Sequence, residues 1–119
     1  MAEPVVFRVL YYQTADERRP IEEWLDELRA DRLARAAILV RIDRIERGLI
    51  GDWQSVGGGV GELRVDYGPG YRVYFGRDGM TVIVLLCGGY KGTQSRDIGK
   101  AKQYWRDYEK RKRSGSDSA

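Results

Sequence analysis

Two arginines eight residues apart carry the first chemical signal in this chain. Glu62-Leu63-Arg64-Val65-Asp66 and Tyr71-Arg72-Val73-Tyr74-Phe75 both alternate apolar and polar residues, the period of a half-buried strand. If Tyr67-Gly68-Pro69 is the loop between them, Arg64 faces Arg72, Glu62 faces Tyr74 and Asp66 faces Gly70. That register keeps Leu63, Val65, Tyr71, Val73 and Phe75 on one side, and a slip of one residue would split them. Two guanidiniums opposite one another on a solvated face repel. An anion between them removes the penalty, so the pair is a candidate grip for a phosphate or carboxylate. The alternative is that they bridge Glu62, Asp66 or the acids of a partner.

The wider composition limits what such a site can do. The chain has 119 residues, one cysteine and no histidine. One domain with a single modest core is expected at this length. Without histidine, Ser-His-Asp and Cys-His catalysis and His-ligated zinc are excluded, and no metal or cofactor is called for. Cys87 has no intrachain disulfide partner, which fits a reducing cytosol. No apolar run is long enough to span a bilayer and no secretion signal is visible at the N-terminus, so a cytoplasmic protein without a membrane partner is expected. Net charge is +3, but residues 60–113 hold twelve basic and six acidic residues. The positive field therefore lies on the second half of the chain, which points to a polyanion.

The elements that must position the arginines follow from periodicity. Val5–Tyr12 is apolar and aromatic and predicts a first strand. Pro20 suits the first turn of a helix, and Ile21, Trp24, Leu25 and Leu28 give it one apolar face, with Trp24 as a core anchor. Asp31 is a suitable N-cap for a second helix ending near Gly48. Its buried stripe is Ile38, Ile42, Ile45 and Leu49, with Ala34 and Ala37 permitting close approach. Arg32, Arg35, Arg41, Arg44 and Arg47, beside Asp43 and Glu46, form its solvated outer face. Asp52–Gly61, with Gly57-Gly58-Gly59, is expected to be a flexible lead-in to the sheet; it lacks the phosphate-loop pattern.

Strands are then predicted over Val60–Asp66, Gly70–Gly76 and Thr81–Cys87. The last is apolar at nearly every position, as for a central strand covered on both faces. Thr93–Asp97 leads into a final helix with Ile98, Ala101, Trp105 and Tyr108 inward. The order is β-α-α-β-β-β-α, which implies an α+β domain over residues 1–110. A mainly antiparallel four-stranded sheet carries the helical hairpin on one face, leaving the other face free. Residues 111–119, basic and then serine-rich, are expected to be a disordered tail.

Several of these stretches together are similar to a known family. Glu62-Leu63-Arg64, Gly70-Tyr71-Arg72-Val73-Tyr74, Leu85-Leu86-Cys87-Gly88-Gly89-Tyr90-Lys91 and Gln94-Ser95-Arg96-Asp97-Ile98 resemble the RelE/ParE superfamily of type II toxins, in its HigB-like branch of addiction module killer proteins. The resemblance covers about residues 4–110 and implies a RelE-like fold. It implies a toxin held inactive by a small helix-turn-helix antitoxin, the complex repressing its own operator DNA through that antitoxin. RelE- and HigB-like members are mRNA endonucleases acting in the ribosomal A site; ParE-like relatives instead inhibit DNA gyrase without cutting RNA.

By that resemblance, Arg72 matches the arginine placed near the scissile phosphate, with Arg64 and Lys91 as further cations. Tyr74 and Tyr90 are candidates for the proton-transfer or base-stacking role. Arg77, Gln94, Arg96 and Lys100 are expected RNA contacts. The chemistry needs no metal, because the RNA 2′-hydroxyl attacks the adjacent phosphate and leaves a 2′,3′-cyclic phosphate and a 5′-hydroxyl. The protein has to align that attack and stabilise charge on the phosphoryl oxygens. Arginine suits the second task because its planar fork binds phosphate bidentately and stays protonated. Lys91 is otherwise an ordinary loop cation, and Tyr90 a capping aromatic.

Overall fold

A computed structural model of the chain describes residues 6–117, with side chains through residue 115. It is an α+β fold of five strands and three helices: β1 (Arg8–Tyr11), α1 (Pro20–Glu27), α2 (Arg32–Glu46), β2 (Trp53–Gly57), β3 (Val60–Val65), β4 (Tyr71–Asp78), β5 (Val82–Tyr90) and α3 (Gln94–Asp117). The sheet order is β1-β5-β4-β3-β2. β1 runs parallel to β5 and every other neighbour is antiparallel. Val5, in the strand expected at the N-terminus, lies outside the described residues.

The helical hairpin forms as its spacing predicts. Pro20 opens α1, and the Asp31 carboxylate accepts the Ala34 amide at 3.2 Å to cap α2. Such a cap is worth about 1 kcal/mol. Ile21, Leu25, Ala34, Ile38, Ile42 and Ile45 pack on Leu63, Val65, Tyr71, Val73, Phe75, Ile83 and Leu85. The β3 and β4 residues among these are the set that the register placed together, and Ile83 and Leu85 of β5 join them. Leu49 departs from the expected stripe: past Gly48 (φ 85°) the chain has left the helix, and the side chain is exposed.

Three expectations are corrected. The sheet has five strands, because Trp53–Gly57 pairs with β3 through a Gly58-Gly59 turn whose residues have φ of 64° and 82°. Paired positive φ values are what a tight hairpin demands and what glycine supplies without strain. The triple glycine is thus a turn, not a flexible lead-in. The second face of the sheet is not free either. Ala101 and Trp105 of α3 are buried there with Tyr12, Val60, Tyr74, Val84, Leu86 and Cys87. Helices therefore cover both faces, and β5 is buried on both sides as its unbroken apolar run predicted. Finally, α3 continues to Asp117 through the segment expected to be a disordered tail; residues 118–119 lie outside the description.

Glycines shape this second core. A Cβ on Gly76 would lie 2.2 Å from the Trp105 ring, and one on Gly59 would lie 2.6 Å from the indole nitrogen. The backbone of β4 and of the Gly58-Gly59 turn thus makes the floor on which Trp105 lies. Two polar ties fasten α3 further along: Tyr12 donates to Asp107 at 2.5 Å, and Tyr108 donates to Asp78 at 2.7 Å. No helix among the described residues is long and apolar enough to cross a membrane.

Candidate functional site

The β3–β4 ladder has the register that the sequence predicts, with Arg64 opposite Arg72 and Glu62 opposite Tyr74. Even-numbered residues of both strands point to the α3 side. Since α3 starts beside this corner of the sheet, Glu62 and Tyr74 are wholly buried there and Arg72 is only 9 % exposed. Arg64, nearer the strand end, keeps a side chain 45 % exposed.

What lies between the arginines is the chain's own carboxylate. Glu62 Oε1 is 3.4 Å from Arg72 Nε and 3.9 Å from Arg64 Nε. The same carboxylate accepts from the Tyr74 hydroxyl at 3.1 Å, Gln94 Nε2 at 2.8 Å and Gln54 Nε2 at 3.2 Å. Of the two readings open at the sequence level, the internal bridge to Glu62 is the one present. This corrects the expectation of a fully solvated pair. Arg72 is turned into the fold, with its Nη1 donating to Gly70 O at 3.4 Å, while its buried Nε has no hydrogen-bond acceptor in line. Asp66 does not join the cluster and is exposed.

Tyr74 is the second correction. Burial, then the neighbouring Glu62 charge and the hydrogen bond to it, push its phenol well above the ordinary tyrosine range. A hydroxyl so enclosed, already donating to a carboxylate, neither reaches a substrate nor gives up its proton near neutrality. It orients Glu62 instead.

The remaining predicted residues divide among three places. The Lys91 amide donates to Gly70 O at 3.0 Å, the carbonyl that also receives Arg72 Nη1, so the Lys91 backbone is tied beside the arginine corner, and its side chain is exposed. Gln94, at the start of α3, joins the corner through Glu62. Tyr90, Arg96 and Lys100 line a separate cleft of about 630 Å³ with Trp24, Tyr71 and Tyr104. Tyr90 is 46 % exposed, and its backbone is tied to the Thr93 hydroxyl at the turn into α3, so it caps that turn while presenting its ring. Arg96 lies 3.6 Å from Asp97. Arg77 stands apart from all of these. It is five residues along β4 from Arg72, roughly 17 Å at 3.4 Å per residue, where it donates to Met80 O and covers the Phe7 ring.

Gln54 is the site residue that sequence reasoning missed, while Glu62 entered it only as the alternative partner of the arginines. The signal for Glu62 was present, since the predicted register set it opposite Tyr74 and two places from Arg64 on one face. Gln54 was out of reach once its strand was taken for a loop. Cys87, at the α3 side of β5, is inert: burial pushes its thiol up to about 12, with Asp97 adding to the effect.

The corner therefore offers one exposed guanidinium and a second buried behind it. That set can bind a phosphate oxygen and oppose negative charge growing on it. Tyr74, enclosed and donating to Glu62, is not available there to move a proton. No family model matches the chain. A protein of Haemophilus influenzae described as "Uncharacterized protein" is 47 % identical over 81 residues, which cover 68 % of this chain and 81 % of the relative. The chain belongs to the same family as that protein.

Proposed function

We propose that this chain is a toxin of the RelE/ParE type, HigB-like, that cleaves messenger RNA in the ribosomal A site. The observation that carries the reading is the cross-strand pair of Arg64 and Arg72, with Arg64 45 % exposed and Lys91 tied to the same corner. In this reading Arg64 and Lys91 bind the non-bridging oxygens of one phosphodiester. Arg72 acts from behind, its charge only partly offset by Glu62, as a fixed positive element of the floor. The attacking group is the RNA's own 2′-hydroxyl. With Tyr74 enclosed, alignment of that hydroxyl with the phosphate falls to the ribosome-bound geometry of the message. Tyr90, exposed beside Arg96 and Lys100, is the side chain able to stack on a base. A cognate helix-turn-helix antitoxin is the partner that would hold such a protein inactive in the cytoplasm.

A second reading is favoured by one specific observation. Glu62 pairs with Arg72 and confines Tyr74, which leaves a cationic surface with its tyrosine out of reach. That suits a ParE-like inhibitor which binds DNA gyrase and performs no chemistry. Brief induction of the protein alone, followed by mapping of RNA 5′ ends, separates the two. New 5′ ends inside coding regions are expected for the nuclease; intact transcripts with stalled gyrase on DNA would overturn it.

A further inference from the structure

Helix α2 is apolar on two opposite faces, and only one of them is used. Ala34, Ile38, Ile42 and Ile45 are buried against the sheet. Leu33, Ala36 and Val40 recur at i, i+3 and i+7, about half a turn away from that face at 100° per residue. Leu33 is 69 % exposed and Val40 51 %. Solvated outer faces of helices normally carry polar residues, so an apolar seam there needs a reason.

Beside the seam is a row of arginines. Arg29, Arg32 and Arg35, spaced three apart, line a groove of about 440 Å³ with Ala36, Leu39 and a single acid, Asp26. None of the three arginines has a salt bridge among the described residues, whereas Arg47 further along pairs with Asp43 at 3.2 Å. Among the described residues no ion pair neutralises these three charges, and Asp26 is the acid that shares their groove.

An apolar seam flanked by unpaired guanidiniums complements a segment with the converse pattern. We infer that the outer face of α2 docks an acidic amphipathic helix of another protein, its apolar stripe on Leu33, Ala36 and Val40 and its carboxylates on Arg29, Arg32 and Arg35. This is recognition of a helix by a groove. Nucleic acid would satisfy the arginines but leave Leu33 and Val40 in water. A second copy meeting through the same face would set arginine against arginine. The inference does not rest on the nuclease reading, because α2 lies on the sheet face opposite α3 and the Arg64 corner.

The test is a titration of the isotope-labelled full chain, followed by amide chemical shifts. The probes are a designed helical peptide with a leucine stripe flanked by glutamates, the same peptide with lysines in their place, and a single-stranded RNA oligonucleotide. The acidic peptide is expected to bind saturably and shift amides of residues 29–40, with the lysine peptide silent. Arg32→Glu with Arg35→Glu, and separately Val40→Asp, are each expected to weaken binding about tenfold or more. These side chains lie outside the buried core, so an unchanged circular dichroism melt confirms folding. The inference is overturned if the acidic peptide does not bind, or if both variants bind it as well as the parent. It is also overturned if RNA occupies these amides more tightly, or if they shift with protein concentration alone.

Discussion

Glu62 and Arg72 lie diagonally across the β3–β4 ladder in the corner covered by α3, with the carboxylate oxygen 3.4 Å from the guanidinium Nε and both side chains almost wholly removed from solvent. A pair in that position fixes where Arg72 points and keeps it from sweeping freely over the surface. Removing one partner strands the other charge. Glu62→Ala is therefore expected to destabilise the fold by about 3–5 kcal/mol, and Arg72→Ala by a similar amount. Replacing the two together with apolar residues of like size is expected to cost less than the sum of the single losses, the remainder being the buried Tyr74 hydroxyl left without its acceptor. Urea denaturation of the two single variants and the double replacement checks this; additive losses would show that the pair is not coupled.

The contact of Trp105 with Gly76 is expected to be intolerant of a single methyl. A Cβ at residue 76 would sit 2.2 Å from the indole ring, and the ring is boxed in by Ala101 and Tyr108 of its own helix and by the sheet. Gly76→Ala should cost about 1–3 kcal/mol through overpacking and loosen α3. Gly79→Ala, where the added atom meets nothing within 4 Å but φ is +68°, tests backbone strain alone. Thermal melts of the two variants, with amide exchange along α3, distinguish the mechanisms. Equal melting temperatures and an unperturbed helix in Gly76→Ala would refute the packing account.

Much of this corner was legible in the sequence. Alternation fixed the register of Arg64 on Arg72, and the unbroken apolar run of β5 identified the central strand. What stayed hidden depended on the second layer. Alternation reports that Glu62, Arg72 and Tyr74 share a face, but not that a helix arriving from thirty residues later will bury it. The α3 stripe Ile98, Ala101, Trp105 and Tyr108 was readable; the sheet face it would choose was not. β2 escaped because Trp53-Gln54-Ser55-Val56 is short and polar, and its Gly58-Gly59 turn looks like slack chain unless a strand precedes it.

Stability should depend on pH in a way set by the ties of α3. Asp107, accepting from Tyr12 and paired with Arg111, and Asp78, paired with Lys112 and accepting from Tyr108, are both held below the ordinary carboxylate value of 3.8. Depressed carboxylates contribute stability that is present above 3.8 and lost as pH falls through their lower folded values. Tyr12 and Tyr108 are each pushed up from 10.0 to about 12, first by burial and then by these same aspartates. Their contribution is complete below pH 10 and lost as pH rises toward 12. Denaturation midpoints measured across pH should form a plateau between the two limits. Asp78→Asn with Asp107→Asn should flatten the acid edge, and an unchanged edge would assign it elsewhere.

Cys87 should be silent to alkylation in the folded state. Its thiol is buried beside Asp97 O and pushed up to about 12, so little thiolate exists near neutrality. Labelling by iodoacetamide is expected only as fast as the sheet and α3 separate. Rapid labelling of the native protein would mean that this interface opens far more readily than its packing implies.

The central claim is that the exposed guanidinium of Arg64, set by the Glu62–Arg72 pair, stabilises a phosphodiester during its cleavage. The most direct measurement uses purified protein, ribosomes programmed with a defined message, and chemical analysis of the fragment ends. The account predicts cleavage within the A site that yields a 2′,3′-cyclic phosphate and a 5′-hydroxyl. Arg64→Ala should fold normally and cut about two to three orders of magnitude more slowly. A message left whole by the unaltered protein, or cut equally well by Arg64→Ala, would contradict it.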